Sequence, residues 1–145
     1  MKILAVDAAG KALSVAVAED GRIVASAALN VGLTHSQRLL PLLQSLLAAA
    51  DLSLAEIDML AVVNGPGSFT GLRIGMSTAK GLAWALQKPL LPVCTLEAAA
   101  YNALGVGRPE QLACPVLDAR RNEVYTALFA AGPGLAPQPL WPPQA

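Results

Sequence analysis

Any chemistry in this chain has to come from a short set of side chains and one glycine-rich turn. Asp7 ends a first apolar run, Ile3 to Val6, at a place where a carboxylate can face a metal ion or a nucleotide. Asp118 ends another, Val116-Leu117, with Arg120 two residues on. Between them lies VVNGPGSFTGLRIGMSTAKGLAWAL, residues 62–86. Its glycines at 65, 67, 71 and 75 span the junction of a strand-like and a helix-like segment. That layout can bind phosphate, through unpaired amides at the positive end of a helix dipole. The single histidine, His35, has no neighbour with which to form a dyad or ligand set, and reads as a capping or surface residue. Cys94 and Cys114 lie in apolar surroundings and read as buried, reduced thiols.

The spacing argues against a phosphate cradle. GPGSFTG departs from G-x-G-x-x-G because its third glycine comes one residue late, and no Lys-Ser/Thr follows as in a P-loop. Lys80 lies two turns further on, and Pro66 removes one amide. By contrast, Gly71, Gly75, Ala79 and Ala83 recur every four residues and form an almost flat strip along a helix. A glycine inside a helix costs roughly 0.5–1 kcal/mol relative to alanine. Two on one face call for the close approach of another backbone, from the same chain or from a second one. Leu72, Met76, Leu82, Trp84 and Leu86 add apolar side chains on other faces. Asp7 precedes Ala8-Ala9-Gly10, which lacks the hydroxyl of the Gly-Thr turn in related kinases, so it reads first as a turn cap. Asp118 and Arg120 either face a cleft opposite Asp7 or stabilise the ARRNE turn. No Ser-His-Asp or Cys-His set can be assembled.

The elements that must carry these residues follow from periodicity. Ile3–Val6, the alternating Leu13, Val15 and Val17, and Ile23–Ala28 read as three strands, with Asp20-Gly21 as the hairpin turn between the last two. They predict an antiparallel meander. Thr34, answered by Gln37, predicts a helix start, and Leu39, Leu40, Leu43, Leu46, Leu47 and Ala50 give its apolar stripe. Pro41 inside that helix is tolerable only near the first turn or with a bend. Strand 59–63, helix 71–86, strand 90–94 and helix 96–104 follow, and strands joined by helices pair in parallel. A hairpin with its second strand at 124–130 comes next. GPGLAPQPLWPPQA, with five prolines, then reads as linker or strand-edge material without a closing element. This order predicts an α/β fold, a ribonuclease-H-like lobe of the actin, sugar-kinase and Hsp70 group. Its mixed sheet has three antiparallel strands, then parallel strands and helices.

Composition narrows the function. The 145 residues are 54% apolar and only 14% charged, against about 25% charged in typical domains. Ten basic and ten acidic residues cancel, so a basic footprint for nucleic acid is missing. No apolar run reaches the roughly 18 residues of a membrane helix. Asp7 interrupts the segment that a secretion signal would need. So few charges leave apolar surface for a partner.

GPGSFTGLRIG, with THSQRLLP upstream and LDARRNEVY downstream, resembles the TsaB family, a subunit of the bacterial machinery that makes threonylcarbamoyladenosine in tRNA. The likeness runs from about Met1 to Phe129. It implies a non-catalytic relative of TsaD, the metal- and nucleotide-dependent subunit that transfers the threonylcarbamoyl group to the adenosine next to the anticodon. It also implies pairing with TsaD through two helices of the first lobe, here about 35–50 and 71–86, and self-association through the same face. A third subunit, the ATPase TsaE, joins the assembly. The contact residues expected on this basis are Leu39, Leu43, Leu46, Gly71, Arg73, Gly75, Met76, Ala79, Leu82 and Ala83. The resemblance further implies a cytoplasmic protein that meets tRNA only through the complex. This chain alone would hold no cofactor, with ATP or ADP at the partner interface left open and Asp7 and Asp118 the weak candidates to face it.

The catalytic relative holds its metal with two histidines four apart after a strand reading like P-V-x-H. The comparable segment here is Pro92-Val93-Cys94-Thr95-Leu96-Glu97-Ala98-Ala99, with Thr95 and Ala99 where ligands would be needed. No metal site is expected, since a site needs about three protein donors. The family's usual chain continues into a second lobe. The sequence therefore reads as a first lobe, 1–106, and the start of a truncated second, 107–145. The alternative is a nucleotide-binding phosphotransferase of the sugar-kinase group, with Asp7 as its metal-facing carboxylate.

Overall fold

Alternating apolar residues put one face of a strand on a core, and Leu13, Val15 and Val17 are all buried. They lie on β2 (Leu13–Glu19), which pairs antiparallel with β1 (Lys2–Asp7) and β3 (Arg22–Leu29). Asp20 and Gly21, both at positive φ (50° and 80°), close the β2–β3 hairpin as the Asp-Gly pair predicts. This is a computed structural model, and it describes residues 1–30, 35–104 and 111–144. Thr34, the expected helix cap, lies outside them.

The chain forms two compact units. The first comprises residues 1–64 and 68–92. After the meander come α1 (His35–Ala49), β4 (Met59–Gly65), α2 (Phe69–Leu86) and β5 (Leu90–Cys94). The sheet order is β3-β2-β1-β4-β5, with β4 parallel to β1. Leu39, Leu43, Leu46 and Leu47 of α1 join Leu4, Val6, the β2 residues, Val62 and Ala79 in one core, so α1 and α2 share a sheet face. Pro41 sits in the second turn of α1 rather than the first, with its ring exposed. Exposure lets water take the carbonyl that its missing N–H leaves unpaired.

The second unit comprises residues 65–67 and 93–145. It contains α3 (Thr95–Leu104), β6 (Leu112–Ala113), β7 (Val116–Arg120), β8 (Glu123–Ala131) and β9 (Pro137–Gln144). β8 pairs antiparallel with each of the other three strands. Leu96, Ala100 and Leu104 form one α3 stripe and pack with Ala113, Ala127 and Phe129. That packing explains where the units divide. The sequence places the boundary at 106/107, which lies outside the described residues. The compact units part before α3, because its buried stripe belongs with β6 and β8. The proline-rich segment forms β9, whose missing amides suit a strand on the edge of a sheet.

Candidate functional site

The start of α2 explains what the glycines do. Ser68 caps the helix, its Oγ accepting from the Gly71 amide at 3.3 Å. The Ser68 amide donates to the Ala9 carbonyl at 2.7 Å. Asp7 closes the same turn from the other side, its Oδ1 accepting from the Ala9 amide at 2.8 Å. Two of the amides a phosphate would need are thus engaged by the chain itself, and Pro66 has none. A Cβ on Gly71 would collide with the Ala8 carbonyl oxygen. One on Gly75 would stand 3.4 Å from the Ala8 Cβ and 3.8 Å from a Val62 methyl. The glycines therefore let the helix settle onto the turn after β1.

This placement corrects the expected contact surface. Gly71, Gly75, Ala79 and Ala83 are all buried along α2, and Leu39, Leu43 and Leu46 are buried along α1. The physical reason is shared. Both stripes face the chain's own sheet, so a partner cannot touch these seven residues without opening the core. Arg73 is exposed, and Met76 and Leu82 are partly so while leaning on the core.

What α2 does offer outward is a different stripe. Phe69, Arg73, Met76, Lys80 and Trp84 repeat at helical spacing. Phe69 is 67% exposed and Trp84 79%, values far from those of a satisfied core aromatic. The Arg73 guanidinium lies 3.8 Å from the centre of the Phe69 ring, a cation–π contact that holds both side chains over the helix. Phe69, Leu72, Arg73, Met76, Ser77 and Lys80, with Asn64 at the end of β4, line a groove of about 430 Å³. Leu40 adds an exposed leucine on α1, 47% accessible. Helical spacing could have revealed this stripe. The small-residue strip masks it, because glycines inside a helix are the more unusual signal.

The remaining candidates are dispersed. Asp118 is exposed, and its Oδ1 accepts from the Arg120 amide at 2.7 Å, within a turn where Arg120, Arg121 and Asn122 all have positive φ. Asp7 and Asp118 belong to different compact units. His35 opens α1, and its Nε2 is buried without a partner among the described residues, as is the Thr95 hydroxyl at the start of α3. Both cysteines are free, but neither is buried as expected: Cys94 is half-buried, and Cys114 is exposed with its Sγ 3.3 Å from the Thr126 hydroxyl. A neighbouring hydroxyl satisfies a thiol without apolar cover. Among the described residues, no three His, Cys, Asp or Glu side chains are grouped to hold a metal ion. No helix among them is long and apolar enough to cross a membrane.

Comparison with known proteins places this geometry in context. Residues 30–135 match the family model described as TsaD, tRNA N6-adenosine threonylcarbamoyltransferase. The tRNA threonylcarbamoyladenosine biosynthesis protein TsaB of Bacillus subtilis is 38% identical over 139 residues, covering 95% of this chain and 59% of that protein. A solved structure of YeaZ from Pseudomonas aeruginosa superimposes with a TM-score of 0.84 at 34% identity, over 99% of this chain and 65% of that one. A putative N-acetylglucosamine kinase from Porphyromonas gingivalis, at 19% identity and a TM-score of 0.50, shares the fold alone. The chain thus spans 59% of the length of that TsaB protein and 65% of that YeaZ chain.

Proposed function

The chain belongs to the TsaB family of TsaD-related proteins, and on that premise we propose that it is a non-catalytic, partner-binding subunit in the synthesis of threonylcarbamoyladenosine in tRNA. One observation carries the reading: α2 presents Phe69 and Trp84 to solvent on a stripe that the chain's own fold leaves uncovered. Large exposed aromatics of this kind anchor protein interfaces. The partner in this reading is a TsaD-type catalytic subunit, docked on the outer faces of α1 and α2. Asp7 supports the non-catalytic part, since it spends an oxygen on its own turn. A TsaE-type ATPase, a cytoplasmic location and nucleotide at the shared interface extend the proposal on family grounds.

Molar mass by light scattering, for the chain alone and mixed with TsaD from the same cell, tests it. The expected result is a one-to-one complex. Two separate species at micromolar concentrations would overturn the reading. The phosphotransferase alternative has a direct check in equilibrium dialysis with ATP and magnesium, where binding by the chain alone would revive it.

A further inference from the structure

An edge strand leaves a row of backbone N–H and C=O groups unpaired, and proteins usually defend it with proline, charge or brevity. Three edges of this chain are blunted in that way. β5 carries Pro92, which has no N–H to donate. β9 contains four prolines, and the five residues of β7 include Asp118 and Arg120. β3 is undefended. It ends the five-stranded sheet, and among the described residues its backbone pairs with β2 alone. From Ile23 to Leu29 it has no charge, no proline and no glycine. Val24 bulges out of the register near the hairpin, but residues 25–29 run regularly against 13–17. Ile23 and Val24, 72% and 46% exposed, leave apolar surface beside the same edge.

We infer that the β3 edge joins two copies of the chain, strand to strand and antiparallel, about a two-fold axis at Ala27. Directly opposite residues of an antiparallel pair share a face. Ala25 then meets Leu29 of the other copy, Ala27 meets its own counterpart, and Ser26 meets Ala28. Ala25, Ala27 and Leu29 are partly buried, and the two alanines lean on the core where α1 packs over β3. A second β3 continues that apolar side. Ser26 and Ala28 are exposed and small, so no bulk holds the two backbones apart. Charge agrees with this register. Arg22, the one charged residue of β3, lies five residues before the axis, so the two cations stand at opposite ends, roughly 30 Å apart. An extended peptide of another protein would satisfy the ladder through its backbone only, whereas a second copy matches the side chains as well. The pairing also closes on itself, because each copy spends its free edge and the far edge of each sheet is blunted by Pro92.

The inference goes beyond the partner reading above and does not depend on it, since β3 ends the sheet and lies off the outer faces of α1 and α2. Sedimentation equilibrium of the chain alone, at micromolar concentrations and low salt, tests it. Wild type is compared with Ser26→Lys/Ala28→Lys and with Ser26→Lys/Ala28→Glu, and unchanged thermal unfolding verifies that each variant is folded. Wild type is expected to dimerise. The first variant sets lysine opposite lysine twice and should raise the dissociation constant by about tenfold or more. The second sets lysine opposite glutamate at the same two places and should stay within about threefold of wild type. Hydrogen exchange is a measurement without substitution: alternate amides of residues 25–29 should exchange more slowly in the dimer than in the dilute chain. A monomeric wild type overturns the inference. So does a dimer that both variants leave unchanged, which would assign association to another surface, and so does an equal loss in both, which would contradict the register. Light scattering with TsaD is expected to be the same for wild type and the Lys/Lys variant. Loss of TsaD binding with the dimer intact would assign the edge to that partner instead.

Discussion

Gly71 and Gly81 sit on the same helix and do opposite things. Gly71 leaves room for the Ala8 carbonyl, whereas a Cβ at Gly81 would meet nothing within 4 Å. Gly71→Ala must push the helix off its turn, so a loss of about 2 kcal/mol or more is expected in urea unfolding. Gly81→Ala has the helix propensity gain without the clash, and should stabilise by about 0.5–1 kcal/mol. Equal effects of the two would contradict the close approach. Glu56 is a second local case. The Ser53 amide, then the Lys2 ammonium and the Ser53 hydroxyl, hold its carboxyl below the usual carboxylate range. A group lowered on folding adds stability above its unfolded pKa, and that share is lost as pH falls through the folded value. Wild type should therefore lose more stability than Glu56→Gln between about pH 5 and pH 3, read as urea midpoints across that window. The residue types made most of these local features legible. Asp20-Gly21 announces its hairpin, and Asp7 announces its turn. The left-handed run at Arg120, Arg121 and Asn122 was not readable, because no glycine marks it.

Helix α2 shows what periodicity can and cannot decide. Repeats of four located a flat strip of small residues, and the strip is where the backbone packs closely. Spacing says nothing about whose backbone arrives, and here it is the turn after β1. A substitution on each stripe separates the two surfaces. Ala79→Trp places an indole at a site with no exposure, and overpacking of this kind costs roughly 1–3 kcal/mol or more. It should lower the unfolding temperature of the chain with or without a partner present. Trp84→Ala removes an exposed side chain and should leave stability within about 0.5 kcal/mol of wild type. Calorimetric unfolding of both variants checks this, and an Ala79→Trp chain as stable as wild type would show that the buried strip is accessible after all. Helix α3 gives the second lesson. Its stripe of Leu96, Ala100 and Leu104 is plain in the sequence. The sheet it joins was not, since an apolar stripe carries no address.

For the whole molecule, the fold group was legible because three antiparallel strands followed by strand–helix alternation admits few arrangements. Family motifs single out α1 and α2 as the expected contact pair, while the largest sequence signal on them marks the faces that the chain keeps for itself. What remains outside is an aromatic and cationic surface on α2, which a partner covers in the proposed function. Trp84, 79% exposed, reports on that surface directly, once Trp141→Phe removes the other indole. Fluorescence of this variant, titrated with TsaD while light scattering follows complex formation, is the decisive measurement. The emission is expected to shift to shorter wavelength, with protection from acrylamide, as the complex forms. A complex that forms while Trp84 keeps the spectrum and quenching of an indole in water would contradict the account.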